Sequence, residues 1–188
     1  CDMAHMVPLE FWRWAIDKAR ARDPQVYFTG EAYDLDPAKL SNGDILHALL
    51  CAGYDRVYDS ESYDGAKGIY EEGMWANDID VLLWDEARLH GMLRYVENHD
   101  EVRIASPKNW GGHGARIGRP VTAILLGLGR ADRLFYNGQE VAEAAIGSEC
   151  FCGDEGRTTI FDYWSPPEIA KWVNGHQYDG GRLSDEQK

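Results

Sequence analysis

The chain has 188 residues, 44% hydrophobic and 12% aromatic, enough for one domain with a real hydrophobic core. Its formal net charge of -13, from 32 acidic and 19 basic residues, argues against a nucleic-acid partner and suits a neutral ligand. The longest apolar run, residues 123–128, is interrupted by Gly127 and falls short of the roughly 20 residues of a membrane span.

The four cysteines, Cys1, Cys51, Cys150 and Cys152, show neither a disulfide framework nor the C-x-x-C spacing of zinc and redox sites. Localisation stays open, because a signal peptide would lie upstream of this sequence.

Residues 8–22 carry a helical pattern. Pro8 suits the first helical position, Trp12, Ala15, Ile16 and Ala19 share a face, and Asp23-Pro24 ends the helix. Residues 26–29 form a short β-rich run that ends in Gly30-Glu31 and leads into a polar loop over 32–37. A second helix spans 41–51, with Ile45, Leu46, Leu49 and Leu50 on one face and Gly53 as its cap. Residues 54–58 are the second strand, and 63–72 and 80–90 are helical segments. The third strand, 94–97, ends at Asn98-His99-Asp100. A glycine-rich loop over 106–114 leads to a helix over 119–128, with Val121, Ile124, Leu125 and Leu128 inward. The fourth strand, 134–136, ends at Asn137-Gly138-Gln139-Glu140. A short helix over 166–173 has Ser165 as cap, Pro166 at its first position and Gly175 at its end. Ser184 and Gln187 have capping-box spacing, so a further helix is announced as the sequence stops. It also opens on Cys rather than Met, so both ends are expected to be truncations of a longer protein.

Strands alternating with helices imply an α/β fold with parallel strands and right-handed crossovers. Either an open doubly wound sheet or a (β/α)8 barrel fits. No G-x-G-x-x-G follows any strand, which weakens nucleotide binding.

Acidic residues fall just after a strand or just before a helix at Asp2, Glu31 and Asp100. In parallel α/β folds such positions line the C-terminal face of the sheet. Asp2 and Glu31 are about one βα unit apart, and Glu31 and Asp100 about two, so the three can converge on one pocket. A retaining glycosidase needs this chemistry: a carboxylate nucleophile and a carboxylic acid about 5–5.5 Å apart. Like charges at close range raise one of the two pKa values and keep the acid protonated near neutral pH. Taken singly, the same residues read as a helix cap, a surface carboxylate and a loop His–Asp pair, or as half of a metal site.

Four segments carry a resemblance. Cys1-Asp2-Met3-Ala4-His5 resembles the nucleophile segment of glycoside hydrolase family 13, the α-amylase family. Phe28-Thr29-Gly30-Glu31-Ala32-Tyr33-Asp34 resembles its acid/base segment, and Val96-Glu97-Asn98-His99-Asp100 its third-carboxylate segment. Phe135-Tyr136-Asn137-Gly138-Gln139-Glu140 resembles the end of its eighth strand. The resemblance spans essentially the whole chain. It implies a fragment of a (β/α)8 TIM barrel, from the end of strand four through strand eight, and an α-glucan or oligosaccharide substrate. Asp2 would be the nucleophile, Glu31 the general acid/base, and Asp100 the residue that binds sugar hydroxyls and steadies the transition state. His99 would hydrogen-bond the sugar in the cleaved position, and His5 would lie on the acceptor side. Tyr33 and Trp110 would offer stacking faces. Arg103, just past Asp100, would touch the sugar or pair with an active-site carboxylate, or else be a surface arginine. Trp12, Trp14, Trp84 and Trp172 read as helix packing, and most of the seven tryptophans as core.

The family usually places Lys and His three and four residues after the nucleophile, where this chain has His5 and Met6. Met6 is a poor calcium ligand, so neither metal nor cofactor is expected from this segment, although calcium is open to the parent. Half a barrel leaves open sheet edges and an unfilled interior, so the piece alone is expected to be poorly stable and inactive. The rivals are a transglycosylase with the same residues, a non-catalytic carbohydrate-binding relative, and a metal-dependent hydrolase using His5, Glu31, His99 and Asp100.

Overall fold

Four short parallel strands order the computed structural model of this chain, which is described for residues 1–33, 42–83, 86–127, 129–146, 156–158 and 166–188. They are β1 (Thr29–Gly30), β2 (Arg56–Tyr58), β3 (Met92–Arg94) and β4 (Asp132–Arg133). Their order in the sheet is their order in the chain, and every neighbouring pair is parallel. Val57 is the hub of the register, opposite Gly30 on one side and Met92 on the other. The class is therefore mixed α/β with helical crossovers.

The helices are α1 (Leu9–Arg22), α2 (Asn42–Cys51), α3 (Ser60–Glu71), α4 (Glu86–Gly91), α5 (Gly118–Gly127) and α6 (Pro167–Val173). The chain forms two compact units. The first comprises Cys1–Ala66, Trp75–Tyr95 and Leu125–Arg133, and the second Lys67–Met74, Val96–Ile124 and Leu134–Lys188.

The first unit contains the whole sheet. Its core joins Ala4, Ile16, Leu46, Leu49, Tyr54, Val57, Met92 and Ala131, with Trp12 and Phe28 packed against them. The face read for α2 is the one buried, because Leu46 and Leu49 recur at helical spacing. Gly53 closes that helix with φ 113°, a backbone region that glycine enters without penalty. Asp55 ties three elements together: its Oδ2 accepts from the Phe28 N–H and from Arg20 Nη2, both at 2.7 Å.

Several boundaries moved. The helix read over 63–72 starts at Ser60, because Asp59 caps it through the Ser62 N–H at 3.1 Å and Oγ at 2.6 Å. The segment 80–90 splits into a 3-10 turn over Ala76–Leu83 and the short α4. Strands three and four pair earlier than their apolar runs, at Met92–Arg94 and Asp132–Arg133. Asp132 is a poor strand residue, held there by Tyr27 Oη at 2.7 Å and Arg56 Nε at 2.9 Å. Pro8 and Pro166 each stand one residue before their helices.

The second unit buries Ile104, Ala105, Trp110, Ile117, Val121, Val141, Ala145 and Ile169. The buried Glu143 carboxylate accepts from the Ala145, Glu168 and Ile169 N–H groups, so it caps α6 from a distant loop. Ser184 and Gln187 make the reciprocal contact of a capping box, with the Ser184 N–H donating to Gln187 Oε1 at 3.0 Å.

Three packing expectations are corrected. Trp14 is 58% exposed, because it stands on the outer side of α1, where Phe11 is its aromatic neighbour. Trp172 and Ile124 are exposed as well. The expectations for Asp34, Ser41, Trp84, Leu128, Cys150, Cys152 and Ser165 lie outside the described residues. No helix among the described residues is long and apolar enough to cross a membrane.

Candidate active site

Glu31 leaves β1 at its C-terminal end, within the first unit. The segment that opens the chain lies along the free side of β1. The Cys1 nitrogen donates to the Thr29 carbonyl at 2.8 Å, and the Glu31 N–H donates to the Cys1 carbonyl at 2.9 Å. That is the bond pattern of a parallel pairing, with Cys1 opposite Gly30 and hence Asp2 abreast of Glu31. Neighbouring strands in such a pairing stand about 4.8 Å apart. The Ala4 N–H then donates to the Glu31 carbonyl at 2.7 Å, and Trp12 Nε1 to the Ala4 carbonyl at 2.8 Å, which fastens the same segment to α1. Between these anchors Met3 adopts φ 48° and turns the chain out of the pairing just after Asp2. For a residue with a side chain that backbone region costs about 1–2 kcal/mol.

Asp2 is exposed, whereas Glu31 is only 8% exposed. Tyr33 Oη donates to Glu31 Oε1 at 3.1 Å. The Tyr33 N–H donates to His5 Nδ1 at 3.2 Å, so a neutral His5 carries its proton on Nε2. That Nε2 is buried and has no hydrogen-bond partner among the described residues. Gly30 permits the approach of β1 to the core, since a Cβ there would lie 3.0 Å from the Tyr54 ring. The first unit thus gathers Asp2, His5, Glu31 and Tyr33: an exposed carboxylate abreast of a buried one, a phenol bonded to the buried one, and an imidazole that accepts from the Tyr33 N–H.

The second unit holds His99, Asp100 and Arg103. His99 Nε2 stands 3.3 Å from Asp100 Oδ2, and both side chains are partly exposed. The loop beneath them is built from side chains that sequence reasoning gave no role. Glu97 is 0% exposed; its Oε1 accepts from Arg103 Nη1 at 2.8 Å and its Oε2 from the Ile104 N–H at 2.7 Å. Burial pushes the Glu97 carboxyl above its usual range, while the Arg103 guanidinium and the Ile104 N–H pull it back. Asn98 Oδ1 accepts from the Asp100 and Glu101 N–H groups, both at 2.9 Å. The advance signal for Glu97 was an acidic residue at the end of a strand run and within the third-carboxylate segment, with an arginine six residues later.

Two readings change here. Arg103 was expected to touch sugar, pair with an active-site carboxylate or lie on the surface. It is instead 1% exposed and is held by Glu97, by the Asn137 carbonyl at 2.8 Å and by the Tyr136 ring 4.0 Å away. Trp110, expected as a stacking face, is 0% exposed and packs by Tyr70, so it presents no face to a ligand.

A scan against protein-family models finds no match, and no curated protein matches the chain.

Proposed function

We propose that this chain is the second half of a (β/α)8 catalytic barrel of the α-amylase type, and that its longer parent cleaves α-glucosidic bonds of starch-type glucans or maltooligosaccharides with retention. The observation that carries the reading is the parallel pairing that sets Asp2 abreast of Glu31 at the C-terminal end of β1. A retaining pair of carboxyl groups needs a separation of about 5–5.5 Å, and adjacent strands supply that order of spacing. A sheet whose strand order follows chain order without reversal also suits a barrel better than a doubly wound fold, where the order reverses at a switch point.

In this reading the Asp2 carboxylate attacks the anomeric carbon while Glu31 protonates the departing glycosidic oxygen. The C–O bond breaks and a glycosyl ester forms on Asp2. Glu31, now a carboxylate, takes a proton from water, the hydroxide so formed displaces Asp2, and the two inversions leave the configuration unchanged. The resemblance gives Asp100 and His99, in the second unit, the role of holding sugar hydroxyls as charge develops on the ring. Tyr33, bonded to Glu31 Oε1, orients the acid/base.

The test is hydrolysis of soluble starch and nitrophenyl α-maltosides by the full-length protein and by its Glu31→Gln variant. The variant is expected to lose about 10²–10⁴ in rate on starch, and less on substrates whose leaving group needs no proton. A folded parent inert on every α-glucan overturns the reading.

A further inference from the structure

We propose that Arg103 is a positioning residue: through Glu97 and Asn137 it locks the loop that carries His99 and Asp100 into one conformation. The assignment rests on the reading of Asp100 as a sugar-binding, transition-state-stabilising carboxylate. All the groups lie in the second unit.

The loop is closed by side chains. Glu97, at its start, reaches forward to both the Arg103 guanidinium and the Ile104 N–H, at 2.8 and 2.7 Å, so its two ends are stitched together beneath His99, Asp100 and Glu101. Inside that closure Asn98 Oδ1 takes the Asp100 and Glu101 N–H groups. Arg103 also reaches outside it. Its Nη2 donates to the Asn137 carbonyl at 2.8 Å, and its guanidinium lies 4.0 Å from the centre of the Tyr136 ring. Its own N–H donates to the Gly156 carbonyl at 2.6 Å, and Arg157 Nη1 donates to the Asp100 carbonyl at 3.1 Å.

An arginine suits this place because its planar fork serves a carboxylate on one nitrogen and a carbonyl on the other while its flat face stacks on an aromatic ring. A lysine offers a point charge and loses both the second contact and the stack. The geometry therefore makes the loop after the third strand depend on the Tyr136-Asn137 segment after the fourth. A carboxylate displaced by about 1 Å in this way can cost about 10²-fold in rate.

The experiment compares Arg103→Lys in the full-length protein with the same change in an Asp100→Asn background, by steady-state kinetics on a nitrophenyl α-maltoside, with thermal melts as the check on folding. Arg103→Lys is expected to lower kcat by about 10²-fold with KM little changed, and to lower it no further once Asp100 is already Asn. An unchanged kcat, or the same factor lost in both backgrounds, overturns the proposal, because a residue that only stabilises the fold acts without Asp100. Where Arg103→Lys does not fold, Glu97→Gln removes the other half of the pair at constant shape and is read in the same cycle. Should the wild-type protein turn over no α-glucoside, the enzyme reading fails and amide exchange decides the positioning role. Faster exchange at Asp100 and Glu101, with β3 amides unchanged, supports it, and unchanged exchange at both overturns it.

Discussion

Glu31 in the first unit and Asp100 in the second are held by different means. Glu31 is placed by main chain: it follows β1 directly, its N–H and carbonyl are both bonded to the segment running from Cys1 to Ala4, and the sheet register fixes β1. Asp100 is placed by side chains, through Asn98 Oδ1 and the buried Glu97–Arg103 pair. Main-chain placement survives most substitutions because every residue but proline carries the same donor and acceptor. Placement by side chains depends on a few groups, each of which can be removed singly.

The largest contrast is expected from removing one charge of the buried pair. Arg103→Met leaves Glu97 buried without its counter-charge, which costs about 3–5 kcal/mol. Arg94→Met is the matched change in the first unit, since Arg94 Nε lies 2.9 Å from the buried Asp59. Its cost is of the same order. Urea unfolding reads both, and only Arg103→Met is expected to speed amide exchange at Asp100 and Glu101. If Arg94→Met speeds it equally, loosening of the whole molecule replaces the local account.

The next effect breaks main-chain placement sterically. Gly30→Ala puts a Cβ 3.0 Å from the Tyr54 ring, which itself packs against Trp12 and Phe28. Overpacking of this kind costs about 1–3 kcal/mol, and it pushes on the residue just before Glu31. A melt should fall and activity should fall with it, whereas a neutral result would mean that the β1 end moves freely. Asn98→Ala removes one oxygen that accepts two N–H groups, at about 1 kcal/mol, since water reaches the partly exposed loop.

Much of this contrast was legible in advance. Residues whose chemistry is local to their own segment were readable: the α2 face at Leu46 and Leu49, the Gly53 cap, and the acidic residue at the end of β1. Residues whose placement depends on a distant partner were not. Asp132 pairs as a strand because Tyr27 and Arg56 hold it, and Arg103 is buried because Glu97 and Asn137 receive it. No periodicity announces either. Trp110 misled for the converse reason: a glycine-rich loop reads as surface, yet here it tucks the indole inward, with the Trp110 N–H bonded to Glu71 Oε1 at 2.5 Å. The resemblance pointed to Asp2, Glu31 and Asp100 but said nothing of the Glu97–Arg103 support.

The smallest effect belongs to the surface of the first unit. Burial and then the hydrogen bond to Asp132 push the Tyr27 hydroxyl up to about 12. A group raised in the folded state adds stability that is complete below its ordinary value of 10 and is lost as pH climbs through 12. Melting temperature is therefore expected to fall across that window, and to fall less in Tyr27→Phe. An identical fall in the variant would assign it to other groups.

The central claim is that Asp2 is the nucleophile of a retaining mechanism. It is tested most directly by reacting the full-length protein with a slow fluorinated α-glucosyl fluoride and locating the adduct by peptide mass spectrometry. The expected result is one hexosyl ester on the peptide carrying Asp2, absent from Asp2→Asn. Turnover of the same reagent with no adduct on Asp2, or with the adduct on another carboxylate, would contradict it.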